Sequence, residues 1–365
     1  MSRDKTIDRL RALAIFQVLV VHVLYWGEFF TNKDINLLKS FFLFEMPLFF
    51  FITGASNSFS NTKNYCGFVA KRFTRILIPY YIFAVICIIL SIAKYILEGN
   101  FKFLLGFKVI VSWLIPINKQ LTSVSYLTWA LWFIPVYLSL VLFIPALKKL
   151  YLSKYKILYA ILLLSIFIIT CGLKLGWIQN VAFYAFWIYI GLFYYDIKSV
   201  VKQKRFRIGA VYIIGVGITA VILCRLVGRT FNMQTNKFPP NLMFFAFSLV
   251  VMGIIVVCIP IIDWTMEHIE RINVFGKLID LYSKKSMTIF LYQVFVFKIT
   301  IRLAKLTFHS GSVVQEICQA FFCLIITIFL CAITAMLFGK FENIGDKTFN
   351  KLEELVKIYC DKHNM

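Results

Sequence analysis

Residues 10–30 read LRALAIFQVLVVHVLYWGEFF. A helix that crosses a bilayer needs about 20 mostly apolar residues, and this run has that length and composition. It is not a cleaved leader, because Arg11, Gln17 and His22 interrupt it and no small-residue cleavage site follows. It reads as a retained first transmembrane helix. Nine more runs of this kind follow, at 40–57, 76–96, 127–147, 157–175, 178–195, 208–226, 241–262, 286–304 and 313–339. The whole chain of 365 residues is 61% apolar and 15% charged. A soluble domain has about 45–50% apolar and about 25% charged residues, so a soluble enzyme, a disordered chain and a disulfide scaffold are excluded. The expected fold is all-α: a polytopic membrane protein built as a bundle of ten transmembrane helices.

Charge orients the bundle. Thirty-nine Lys and Arg stand against 17 Asp and Glu, a net charge of +22. In a soluble chain that excess would point to nucleic acid. Here the basic residues fall mostly between apolar runs, so the expected partner is the anionic lipid surface and not nucleic acid. With ten spans and the N-terminus inside, 26 of the 39 basic residues are cytoplasmic. A further apolar stretch, 101–117, is short and interrupted by Lys102 and Lys108. Counting it as a span would reverse the charge balance, against the positive-inside rule, so it is expected to be re-entrant or interfacial. Both termini are then cytoplasmic. Residues 1–339 form the membrane domain. Residues 340–365 form a short basic tail, in which Leu352, Leu355, Val356 and Tyr359 fall at helical spacing for the inner leaflet.

The nine cysteines include six in apolar runs and no Cys-x-x-Cys pair, which suits small buried side chains. The four histidines, His22, His268, His309 and His363, make no cluster at metal spacing. No metal and no bound cofactor are expected.

Ionisable side chains inside a bilayer are costly, so each is a functional candidate. Arg11 and His22 lie eleven residues apart, about three turns plus 20°, hence on one helix face and about 16 Å apart along the axis. With Arg11 at the cytoplasmic interface, His22 lies near mid-membrane. Imidazole exchanges protons near neutral pH, so His22 is the candidate for proton chemistry; the plain alternative is a histidine bonded within the bundle. Arg11 could instead be a headgroup anchor, and Asp8 can pair with it. The second run carries Glu45 toward its outer half, then Thr53-Gly54, a step that allows close helix approach or a kink. Glu45 could pair within the bundle or face a polar cavity. Arg72 and Arg75 sit at i, i+3 before the third run, where two guanidiniums suit a phosphate or anchor to headgroups. Trp129 and Trp132 read as an aromatic belt, and Lys237-Phe238-Pro239-Pro240-Asn241 as a stiff helix entry.

These residues together resemble integral-membrane acyltransferase family 3. Asp8-Arg9-Leu10-Arg11-Ala12-Leu13-Ala14 followed by His22 is similar to the family's first helix, with ten residues between Arg and His. Phe50 to Gly54 resembles Phe-Phe-x-Ser-Gly, with Thr53 at the Ser position. Lys71 to Tyr80 is similar to the Arg-x-x-Arg-Ile-x-x-Pro-Tyr stretch, Leu131 to Ile134 to a Trp-Phe segment, and Ser286 to Tyr292 to a late Ser-x-x-Ile-Phe-Leu helix. That late helix often ends in His, and Gln293 takes the place here. The resemblance implies transfer of an acyl group, usually acetyl, from cytoplasmic acyl-CoA to a sugar hydroxyl of a bacterial surface glycan: O-antigen, exopolysaccharide or peptidoglycan. It implies the bacterial inner membrane, Arg72 and Arg75 on the CoA phosphates, Arg11 and His22 at the reaction, and Asp8 and Thr53 in support. The competing class is a transporter or flippase of glycans without acyl chemistry. Gly/Pro-broken helices in two matching halves would favour it, and no such pairing is visible.

Overall fold

In a computed structural model, the described residues are 4–27, 29, 39–62, 64–99, 107–116, 120–122, 127–308, 312–344, 347, 349–351 and 354. They are helical throughout apart from turns. The helices are α1 (Lys5–Trp26), α2 (Glu45–Asn57), α3 (Tyr65–Leu97), α4 (Phe107–Leu114), α5 (Phe133–Tyr151), α6 (Lys156–Gly172) and α7 (Trp177–Leu192). They continue as α8 (Tyr194–Val200), α9 (Lys204–Leu226), α10 (Met233–Lys237), α11 (Leu242–Glu270), α12 (Asn273–Lys284), α13 (Ser286–Thr307) and α14 (Val313–Phe338). Short 3-10 turns cover Trp129–Trp132 and Gly339–Asn343.

Each apolar run of the sequence has its helix, but not all have the same length. Six helical stretches among the described residues are long and apolar enough to cross a membrane: Tyr65–Leu97, Trp129–Tyr151, Lys204–Leu226, Leu242–Glu270, Ser286–Thr307 and Val313–Asn343. The others differ for identifiable reasons. Helix α2 has 13 residues, about 20 Å of rise against a hydrocarbon core of about 30 Å. Helices α6 and α7 have 17 and 16 residues. Helix α1 has 22 but starts with Asp8, Arg9 and Arg11. The stretch 101–117 contributes the 8-residue α4, about 12 Å long and too short to cross. The Tyr80 and Tyr81 hydroxyls hold it to α3 by donating to the Trp113 and Leu114 carbonyls, each at 2.9 Å. Residues 101–106 lie outside the described set, as do Leu352, Leu355, Val356 and Tyr359 of the tail.

Two features position the site. Helix α1 lies inside the bundle, packed against α2, α12, α13 and α14. Protein neighbours, not lipid, therefore meet its polar groups, which is what makes them tolerable at membrane depth. Helices α2 and α7 cross at Gly54 and Gly191. A Cβ on Gly54 would stand 2.0 Å from the Ile188 carbonyl oxygen, and one on Gly191 2.0 Å from that of Phe51. Only glycine allows this approach, so the Thr53-Gly54 step is a close contact, and it sets the distance between the helices. On the lipid side, α9 exposes Val211, Tyr212, Val216 and Leu223. A surface groove of about 1010 Å³ runs along it, and none of its lining residues belongs to the site below.

Candidate active site

Three cavities abut in a row through the bundle. The first is a vestibule of about 610 Å³ lined by Asp4, Asp8, Arg11, Ser56, Arg72, Arg75 and Tyr195 among others. It shares Arg11, Ser56, Arg72 and Arg75 with a narrow passage of about 100 Å³, whose walls also include Thr53, Asn57, Phe49 and Glu342. The passage shares Val18, Met46 and Phe290 with a third chamber of about 310 Å³, lined by His22, Tyr25, Glu45, Trp129, Trp132 and Lys237. Those three apolar side chains are the wall between passage and chamber.

The arginines of the vestibule come from α1 and α3. Helix α3 has 33 residues, capped by the Asn64 side chain accepting from the Gly67 N–H. At about 50 Å it exceeds the membrane thickness, so its first turns carry Arg72 and Arg75 beyond the apolar part. Arg72 donates to Asn57 Oδ1 at 2.8 Å and lies over the Phe68 ring. Arg11 donates to Asp8 Oδ1 at 3.1 Å and to Ser56 Oγ at 2.7 Å. The Asp8–Arg11 pair expected from spacing is therefore formed. Ser56 and Asn57, the residues that hold the two guanidiniums, are new. Their signal was position: they follow Thr53 by three and four residues on α2. Thr53 lines the passage, but its hydroxyl donates to the Phe49 carbonyl within α2 at 3.0 Å. At the passage wall, the Glu342 carboxylate accepts from the Thr288 N–H at 2.6 Å and so caps the start of α13. Next to it, burial pushes the Lys285 amine below its ordinary value, and Lys285 donates to the Gly339 carbonyl.

Arg9 is close in sequence to Arg11 and has a different fate. It forks onto Glu270 at 3.1 and 2.7 Å and reaches Asp263 at 2.7 Å. Two residues turn the helix by about 200°, so one arginine faces α11 and the other the vestibule.

His22 stands at the far end. Its Nδ1 lies 2.9 Å from Gln293 Oε1. The Gln293 amide nitrogen donates to the Phe290 carbonyl at 2.8 Å, which fixes the amide so that its oxygen faces the imidazole. An oxygen acceptor requires Nδ1–H, and Nε2 then carries the lone pair. The edges of Trp129 and Phe297 hold the ring, with centroids 4.5 and 5.7 Å away. Gln293, which stands where a histidine is common in the resemblance, is thus the partner that orients His22. Trp129 packs on the imidazole, a role its belt-like position in the sequence did not reveal.

Glu45 lines the same chamber and pairs with the buried ammonium of Lys237. The sequence left Glu45 between a bundle partner and a cavity, and it has both. The stretch from Lys237 to Asn241 is more than a stiff entry. Asn241 caps α11 by accepting from the Phe244 N–H. Gln179 of α7 donates to the Pro240 carbonyl at 2.8 Å, and Ser40 accepts from the Met233 N–H. These bonds fold the segment back over the bundle and bring Lys237 into the chamber.

A family model for an acyltransferase domain matches residues 4–336, from the cap of α1 into α14. The chain belongs to acyltransferase family 3. The match includes every residue of the three cavities except Glu342. No curated protein and no solved structure matches the chain. Family membership together with the apolar helices makes this a multi-pass membrane acyltransferase.

Proposed function

We propose that this acyltransferase moves an acyl group, acetyl first, from cytoplasmic acyl-CoA to a sugar hydroxyl of a cell-surface or lipid-linked glycan. The bundle would cross the bacterial inner membrane ten times with both termini in the cytoplasm, its basic tail lying on the inner leaflet. The observation that carries the reading is the row of abutting cavities, with guanidiniums at one end and an oriented imidazole at the other. A donor with phosphates and a long arm fits such a row.

In this reading, Arg72 and Arg75 hold the CoA phosphates by charge-assisted hydrogen bonds. Arg11, steadied by Asp8 and Ser56, orients the donor at the neck. Its position about 16 Å from His22 along α1 assigns it to the donor and not to the reacting carbonyl. The pantetheine arm runs along the passage past Thr53, and the thioester crosses between Val18, Met46 and Phe290. His22 Nε2 takes the proton of the sugar hydroxyl as the oxygen attacks the thioester carbonyl. The C–S bond breaks, and the proton passes from His22 to the departing thiolate of CoA. Gln293 holds the imidazole in the tautomer this needs.

The test uses proteoliposomes with labelled acetyl-CoA and a panel of glycan acceptors. Wild type releases CoA and labels an acceptor, and His22→Ala, inserted to the same level, does neither. Equal turnover by both proteins would remove His22 from the chemistry. Silence of the wild type with every acceptor would favour the transporter class.

A further inference from the structure

The mechanism above gives His22 a proton to take but leaves the acceptor unheld. Within the described residues, two buried side-chain atoms that line the His22 chamber have no hydrogen-bond partner, the Tyr25 hydroxyl and one oxygen of Glu45, and Glu45 is the charged one. Glu45 is 2% exposed and Lys237 4% exposed. One carboxylate oxygen of Glu45 is bonded to Lys237, and the other, Oε2, is buried with no hydrogen-bond partner. A buried polar atom left unmatched is costly, and a charged one more so than a hydroxyl. A carboxylate paired with an ammonium accepts hydrogen bonds and donates none. What completes it is a donor such as a hydroxyl.

The rest of the chamber narrows the ligand further. Trp129, Trp132 and Phe238 line it beside Glu45 and His22. Lys237 lies 5.8 Å from the Trp132 ring centroid and 5.4 Å from that of Phe238, so pair and rings form one wall. Flat rings suit the C–H faces of a sugar, and a carboxylate suits its hydroxyls.

We infer that Glu45 is the acceptor-binding residue of this enzyme: its free oxygen takes a hydrogen bond from a hydroxyl of a sugar ring seated against Trp132, with Lys237 as the counter-ion that holds the carboxylate in place. This rests on the carbohydrate acceptor proposed above. It adds how one sugar hydroxyl is held while another meets His22.

The experiment is equilibrium binding to the purified full chain, with no acyl transfer needed. The probes are methyl glycosides of glucose, galactose and N-acetylglucosamine, with cyclohexanol as an apolar alcohol of similar size. Glu45→Gln should weaken binding of the best glycoside about tenfold or more, the scale of one hydrogen bond to a charged group. That variant strands Lys237, so the double variant Glu45→Gln/Lys237→Met, which leaves no lone buried charge, is measured beside it. Binding of CoA at the inner arginines reports that each protein is folded. A folded double variant that binds glycoside like wild type would overturn the assignment. So would cyclohexanol binding as tightly as the glycosides, or no glycoside binding to wild type. Failure of CoA to bind wild type strikes the donor half of the proposed function instead, and leaves this result standing.

Discussion

The two ends of the cavity row solve the problem of charge in a membrane in opposite ways. The arginine end gathers Arg11, Arg72 and Arg75 around one vestibule that Asp4 and Asp8 also line, with Arg11 on Asp8 and Ser56 and Arg72 on the neutral oxygen of Asn57. Among the side chains of that lining, the three arginines outnumber the two aspartates by one. The His22 chamber holds a matched pair, Glu45 and Lys237, among aromatic rings. Deep in the bundle an unmatched charge is costly, so the chamber is neutral as a whole and works through single polar atoms. In the proposed function, the vestibule would select its ligand by charge and the chamber by hydrogen-bond geometry.

Variants at each end should separate these modes. The largest effect belongs to His22→Gln, which should lower kcat by about 10²–10⁴-fold, the range for a lost general base, with the KM for acetyl-CoA unchanged. A KM that rises with it would blur the two ends into one site. Next, the double variant Arg72→Gln/Arg75→Gln should raise the acetyl-CoA KM about 10–100-fold, as for lost charge-assisted bonds, and change kcat little. Steady-state kinetics on detergent-purified protein checks both. Gln293→Leu frees the His22 tautomer and should lower kcat about tenfold at an unaltered donor KM; an unchanged kcat would make Gln293 a packing residue only. The smallest effect is ionic. Raising salt from 50 to 300 mM should raise the donor KM a few-fold through screening of the vestibule, and less so in the double arginine variant.

A second pair of positions sharpens the contrast within a single turn of α1. Arg9→Met breaks the fork to Glu270 and Asp263 and should cost about 1–3 kcal/mol, a moderate loss because the acids are partly exposed to solvent. Arg11→Met should leave thermal stability nearly intact and raise the donor KM. Thermal unfolding beside kinetics decides it, and the reverse outcome would exchange the two roles.

Much of this protein was legible in its sequence because helices in lipid announce themselves. Ten apolar runs, the Arg11–His22 interval, the Asp8–Arg11 pair and the position of Arg72 and Arg75 before the third apolar run all follow from composition and a 3.6-residue repeat. These are local relations along one helix. What the tertiary structure decided is which helices are neighbours. His22 meets Gln293 across 271 residues and Glu45 meets Lys237 across 192. A helical repeat says which residues share a face and is silent on what that face touches. Helix periodicity likewise separates Arg9 from Arg11 by about 200°, yet only packing against α11 made one a strut and the other a wall of the vestibule. The cavities themselves are properties of packing, set where Gly54 and Gly191 let two backbones meet and where the 233–241 segment folds back on the bundle, and no single stretch of chain encodes them.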